Sequence, residues 1–135
     1  MFAVQRVEVQ GGQVATTPKS VGDRAETLAL EHLQRHGLAL LCRNYRVARG
    51  PRARGGEIDL IVRERDGTVV FVEVRSRADT TFGGALASVT ARKQQRLVLA
   101  ARHYLAGLAR LPPCRFDVVA IDGATVQWIR AAFDA

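Results

Sequence analysis

The stretch Gly56-Glu57-Ile58-Asp59-Leu60-Ile61-Val62, then Arg63 to Thr68, then Val69-Val70-Phe71-Val72-Glu73-Val74-Arg75-Ser76-Arg77 decides the fold. Both arms are rich in Val, Ile and Phe, and Asp66-Gly67 supplies a turn between them, so the segment reads as a β-hairpin. The charged residues are the anomaly. Asp59, Glu73 and Arg75 sit inside strongly apolar runs. A carboxylate there costs desolvation energy unless something positive meets it.

Strand side chains alternate faces. Glu57, Asp59 and Ile61 are therefore expected on one face of the first arm, with Ile58, Leu60 and Val62 on the other. In the second arm Phe71, Glu73, Arg75 and Arg77 share a face opposite Val70, Val72 and Val74. Packing the all-apolar faces against the same layer requires an even register sum, and so an odd loop length. A three-residue loop at Arg65-Asp66-Gly67 places Asp59 directly opposite Glu73, roughly 5 Å apart at Cβ. Two carboxylates that close raise each other's pKa unless a cation lies between them. Their hard oxygens suit Mg²⁺ or Mn²⁺. The hairpin alone fits a second reading equally well, a solvated outer face on which Asp and Glu are ordinary.

Outward from the hairpin, Phe2 to Val9 alternates weakly, and Gln10 to Ser20 reads as a linker, so residues 1–19 are expected to form a poorly ordered lead-in. Ser20 is a plausible N-cap, with Asp23 three residues on, for a helix ending at His36 before Gly37. On its wheel Val21, Ala25, Leu28, Ala29 and Leu33 share a sector; Glu31 faces away, and Glu26 lies at the sector margin. By itself Glu26 reads as an edge residue whose stem covers apolar surface. Leu38 to Val47 reads as the first core strand, and Ala48 to Gly55 as a basic loop carrying Arg49, Arg52 and Arg54. Arg43 and Arg46 extend that basic patch.

Beyond the hairpin, Ala78 to Ala85 reads as a loop and Ser88 to Leu108 as one long helix. Ala91, Gln95, Val98, Leu99, Arg102 and Leu105 follow helical spacing imperfectly, and Leu97, Ala101 and Tyr104 add a second apolar line. Lys93, Gln94 and Arg96 crowd the first turns, where cations oppose the helix dipole and need another reason to be present. A phosphate backbone passing that end would supply one. Arg115 to Ile121 reads as a core strand, Asp122-Gly123 as a turn, and Thr125 to Arg130 as an edge strand, with residues 131–135 expected to fray. Asp117 reads as structural, pairing with Arg115 or Arg130. The three histidines (His32, His36, His103) read as surface or packing residues. The order is thus α-β-β-β-α-β-β, an α/β fold with a mixed central sheet flanked by helices, in one domain over residues 20–130.

A chain of 135 residues with 47% hydrophobic composition suits one globular domain. No apolar run approaches a membrane span and nothing resembles a signal peptide, so no membrane partner is expected. Cys42 and Cys114 lack metal-ligand spacing, and a reduced, cytoplasmic protein is the default, although the two could pair if the fold joined them. The net charge is +7, carried mostly by Arg, which suits a polyanion such as nucleic acid.

The element order, with an acid on the first helix, Asp on the second strand and Glu-x-basic on the third, resembles the restriction-endonuclease-like core of the PD-(D/E)XK nuclease superfamily. More specific are the local matches Gly22-x-x-Ala25-Glu26, Arg43-Asn44-Tyr45-Arg46, Gly56-Glu57-Ile58-Asp59-Leu60-Ile61, Phe71-Val72-Glu73-Val74-Arg75-x-Arg77, Phe82-Gly83, Lys93 and Arg115-Phe116-Asp117-Val118-Val119. Together they look like the YraN family of small bacterial proteins. The resemblance implies that Asp59 and Glu73 hold Mg²⁺ or Mn²⁺ with the Val74 carbonyl, and that Glu26 completes the acidic cluster directly or through water. Arg75 would occupy the position of the superfamily's lysine, making Glu26, Asp59, Glu73 and Arg75 the catalytic set. Arg43, Arg46, Arg52, Arg54, Arg77 and Lys93 would contact nucleic acid. The implied activity is a metal-dependent DNA endonuclease, acting on branched or damaged DNA in repair or recombination. Many nucleases of this fold work as dimers, so a homodimer is one expected assembly. Arg75 is the departure from pattern: it stays protonated, so it stabilises charge but is a poor base. That favours, as the alternative, a non-catalytic nucleic-acid-binding module retaining the nuclease fold.

Overall fold

The computed structural model describes residues 18–48, 55–76 and 84–135, with side chains from residue 22 onward. Its elements are α1 (Pro18–Arg35), β1 (Ala39–Val47), β2 (Gly56–Arg63), β3 (Val69–Ser76), α2 (Gly84–Ser88), α3 (Ala91–Ala106), β4 (Cys114–Asp122) and β5 (Thr125–Phe133). The five strands form one sheet in the order β1-β2-β3-β4-β5. β3 and β4 run parallel, joined across α2 and α3, and every other neighbouring pair is antiparallel. The expected mixed sheet flanked by helices is therefore present. The expected strand at Phe2 to Val9 lies outside the described residues.

Apolar clusters cover both faces of the sheet. On one, Ala25, Ala29, Leu30 and Leu33 of α1 pack on Leu60, Val62, Val70, Val72, Val74, Val119 and Ile121. On the other, Val89 and the α3 residues Leu97, Ala100, Ala101 and Tyr104 pack on Ile58, Ile61, Phe71, Phe116 and Val118. Burial on both faces explains the near-continuous apolar runs of β2 and β3. It also rules out a solvated outer face for the hairpin.

The hairpin register is the one its loop parity required. Leu60 pairs with Val72, Ile61 with Phe71 and Arg63 with Val69. Glu64 N–H donates to Thr68 O and Gly67 N–H to Glu64 O around the three-residue loop, and Gly67 takes a φ of 96° that favours glycine. The face alternation, in contrast, breaks once. Ile58 joins Ile61 on the α3 side, while Leu60 and Val62 lie on the α1 side. β1 breaks at the same level: Arg43 pairs with Leu60 and Tyr45 with Ile58, which sets Asn44, at a left-handed φ of 55°, across from Asp59. Arg43 consequently turns to α1 and Tyr45 to Tyr104 of α3.

The helices depart from expectation in detail. α1 begins at Pro18, not Ser20; proline suits a first helical position, where no N–H partner is needed. Residues 18 and 19 thus belong to the helix rather than the lead-in. It ends as expected, with Gly37 at φ 88°, Gly37 N–H donating to Gln34 O and Leu38 N–H to Leu33 O. Leu28 is exposed and Leu30 buried, so the helix is rotated from the expected sector, and Glu31 is exposed as expected. The long helix expected from Ser88 to Leu108 starts later, at Ala91, where Thr90 caps it by accepting from Lys93 N–H, and the short α2 begins within the expected loop and ends at Ser88. α3 buries the second apolar line, Leu97, Ala101 and Tyr104, together with Ala100. Gly56 lets β2 approach it, since a Cβ there would stand 2.4 Å from Arg96 O and 2.8 Å from Ala100 N.

β5 runs on to Phe133 rather than fraying after Arg130. The fully buried Asp117 holds it there. Its carboxylate accepts from Arg115 Nε at 3.0 Å, Trp128 Nε1 at 2.9 Å and the Ala131 N–H at 2.9 Å. Ala131 sits at a left-handed φ of 49°, where the β4–β5 register shifts, so Asp117 satisfies a bulge. Arg115 reaches on to Glu64 at 2.8 Å, and Phe133 stacks on Phe116. Arg130 instead lies over the Trp128 ring, 4.0 Å from its centroid. Both cysteines are free.

Candidate metal centre

Past Leu60 and Val72 the paired register of β2 and β3 ends. There the Val74 N–H donates to Asp59 Oδ2 at 2.8 Å. Because the strand rotates at this level, the Asp59 side chain leaves both apolar layers and enters the slot between β2 and β3. Glu73, next to Val74, reaches the same slot and is 8% exposed. The two carboxyls line a cleft of about 140 Å³ with Gly22, Ala25 and Glu26 of α1, Glu57, Val74, Arg75, Ser76, and Lys93 of α3.

Burial raises the pKa of Glu73, and the Asp59 charge raises it further, against the pull of Lys93 and Arg75. Burial raises Asp59 too, while hydrogen bonds from Glu73 and the Val74 N–H work to lower it. Both carboxyls therefore bind a proton more readily than exposed acids do, and they titrate as one unit. Among the described residues, Arg75 Nη1 is 3.6 Å and Lys93 Nζ 3.9 Å from Glu73 Oε2. Arg75 is held in place by donating from Nε to Ser88 Oγ at 2.9 Å, and Ser88 donates to Ala85 O. The break between α2 and α3 thus sets Ser88 behind Arg75 and Lys93 beside Glu73.

Glu26 lies on the α1 wall. Burial, then the Asp59 charge, raises it from 4.5 to about 7 against the opposing pull of Arg43. Arg43 Nε is 3.4 Å from Glu26 Oε1, and Arg43 Nη2 donates to Asp23 O at 2.9 Å and Thr27 Oγ1 at 3.0 Å. Glu26 is thereby drawn to Arg43, and among the described residues no three His, Cys, Asp or Glu side chains gather as a metal-holding group. Glu26, expected from the sequence to join Asp59 and Glu73 directly or through water, lines the same cleft with them.

The predicted basic residues divide. Arg43 is only 14% exposed and clamps β1 to α1 instead of joining an outer surface. Arg46 is exposed and pairs with Glu57 at 3.7 Å, and Glu57 meets Arg96 of α3 at 3.8 Å. The cations of the first turns of α3 therefore face acids of β2 and β3, which answers the dipole conflict inside the chain. Arg52, Arg54 and Arg77 lie outside the described residues. Ser88 as the support of Arg75, Arg43 as the partner of Glu26 and Glu57 on the cleft rim carried no distinguishing signal in the sequence.

The architecture and cleft define an α/β protein consistent with a nuclease-like core. The model of the uncharacterised protein family UPF0102 matches residues 25–121. A UPF0102 protein of Methylibium petroleiphilum is 65% identical over 119 residues, covering 88% of this chain and 98% of its own. One from Albidiferax ferrireducens is 53% identical over 134 residues, covering 99% of both chains. Another, from Paracidovorax citrulli, is 58% identical over 125 residues, covering 93% and 90%. The chain belongs to the UPF0102 family.

Proposed function

We propose that this protein is a divalent-metal-dependent nuclease of the PD-(D/E)XK kind, an endonuclease acting on DNA. The observation that carries the reading is the Asp59–Glu73 pair, half-buried and buried respectively, both raised in pKa and open to a cleft bordered by Arg75 and Lys93. Two desolvated carboxyls that each resist ionisation are poorly served by their surroundings, and Mg²⁺ or Mn²⁺ between them would satisfy both carboxylates. The donor set fits such an ion: Asp59 and Glu73 would hold it together with the Val74 carbonyl, with Glu26 acting through water.

When bound, the ion would supply Lewis acidity and lower the pKa of a water held on it. The chain's own residues do the rest. Arg75, always protonated and braced on Ser88, stabilises negative charge developing on a phosphodiester. Lys93 adds a second cation from α3. Glu26, near neutrality in its affinity for a proton, takes or returns one at the α1 wall. Arg46 and Arg96 extend positive charge along the rim, and the net charge of +7 favours a polyanion. Branched or damaged DNA is the substrate class this reading adopts, in the cytoplasm; no described helix is long and apolar enough to cross a membrane.

Arg75 favours a second reading, a nucleic-acid-binding module without turnover, because a guanidinium fixed on Ser88 cannot act as a base. One experiment separates the two. The purified protein is incubated with linear, flapped and four-way-junction DNA, with and without Mg²⁺ or Mn²⁺, beside Glu73→Ala. Metal-dependent cleavage lost in Glu73→Ala supports the nuclease. Salt-sensitive binding without cleavage supports the module, and cleavage unaffected by Glu73→Ala sinks the nuclease reading.

A further inference from the structure

Gly22 is the fifth residue of α1, where glycine is less favourable than alanine because it gives up more backbone freedom. Neither usual justification applies to it. Its φ is not among the positive values that favour glycine, which fall at Gly37, Gly67, Gly84 and Gly123. Nor does close packing require it: a Cβ built on Gly22 meets no described atom within 4 Å. Gly56, by contrast, is demanded by the backbone of α3. Gly22 nevertheless lines the cleft that holds Asp59 and Glu73. The α1 wall of that cleft is small at Gly22 and Ala25 and carries Glu26, whose carboxyl is pushed up to about 7 and paired with Arg43; the other wall carries Arg75 and Lys93.

We propose that Gly22 admits the substrate strand: the sugar–phosphate chain of a nucleic acid lies against the bare backbone of α1 at Gly22, with its anionic side toward Arg75 and Lys93. This rests on the proposed function and adds the path of the strand to it. A side chain at Gly22 would stand in that path without disturbing the fold. Stability and function should therefore move in opposite directions, which a merely structural glycine would not produce.

The test compares wild type, Gly22→Ala and Gly22→Leu by thermal melting, by metal-dependent cleavage of the best DNA substrate, and by anisotropy binding of the same DNA in EDTA. Gly22→Ala should melt about 4 °C higher, and Gly22→Leu no lower than wild type. Gly22→Leu should lose roughly tenfold or more in cleavage and weaken binding, with Gly22→Ala between. Unchanged cleavage and binding in a normally melting Gly22→Leu overturns this inference alone. A Gly22→Leu protein melting several degrees below wild type would place the chain itself in the space, and also overturns it. Wild type that binds but never cuts ends the nuclease reading, and the Gly22 inference is then decided by the binding ratio. Wild type that neither binds nor cuts overturns both.

Discussion

Glu26→Gln should remove part of an alkaline weakness of the metal-free protein. Glu26 is 13% exposed, and burial followed by the Asp59 charge moves it from 4.5 to about 7. Between those values the folded carboxyl keeps its proton while the unfolded chain has released it. Unfolding therefore releases a proton, and rising pH favours the unfolded state. The contribution is fully present below about 4.5 and is lost as pH rises through about 7. Forced ionisation in the folded state costs roughly 3 kcal/mol, of which roughly 2 kcal/mol falls between pH 5 and pH 8. Glutamine keeps an oxygen for Arg43 and cannot ionise. Urea unfolding in EDTA, followed by fluorescence of the single tryptophan, Trp128, should show Glu26→Gln gaining about that amount on wild type across this interval. His32, lowered by burial and by the neighbouring His36 and Arg35, gains stability over part of the same range and cancels in the difference. Parallel pH curves for the two proteins would refute the burial and charge assignments at the cleft.

Mg²⁺ or Mn²⁺ should raise the melting temperature of wild type, more at pH 8 than at pH 5.5, because the ion competes with protons for Asp59 and Glu73. Glu73→Gln should abolish that metal-dependent rise in differential scanning fluorimetry, and a rise that persists would place the ion elsewhere. Asp117→Asn turns an amide toward donors now satisfied by carboxylate and should cost roughly 3 kcal/mol or more in urea unfolding; a loss below about 1 kcal/mol would contradict the bulge-holding role. Gly56→Ala puts a Cβ 2.4 Å from Arg96 O. It should cost roughly 1–3 kcal/mol and, by shifting α3, lower cleavage through Lys93 as well. Wild-type urea curves and cleavage rates for Gly56→Ala would refute that coupling.

Much of the scaffold was legible because its causes are local. An odd loop between two apolar arms dictates an even register, and Leu60–Val72 to Arg63–Val69 keep it. Gly37 ends α1 because only a residue tolerant of positive φ closes that turn, and Asp117 declared itself as an acid in an apolar strand in need of Arg115 or Arg130, of which Arg115 is the partner. What pattern reading missed depends on contacts between distant segments. Strict alternation cannot foresee the paired break at Asn44 and Asp59, because both strands change face there while keeping their mutual register. That break sends Arg43 to Glu26, Tyr45 to α3 and Asp59 into the slot beside Val74. The turn between α2 and α3 was equally hidden, since Thr90 becomes a cap only once Val89 has a core to enter, and it is this turn that delivers Ser88 to Arg75 and Lys93 to Glu73. Loop parity and strand period, both readable in the amino acids, set the register of the hairpin. The desolvation of Asp59 and Glu73 and the pairing of Glu26 with Arg43 came from the packing of separate elements, because burial and ion pairing arise only where those elements meet.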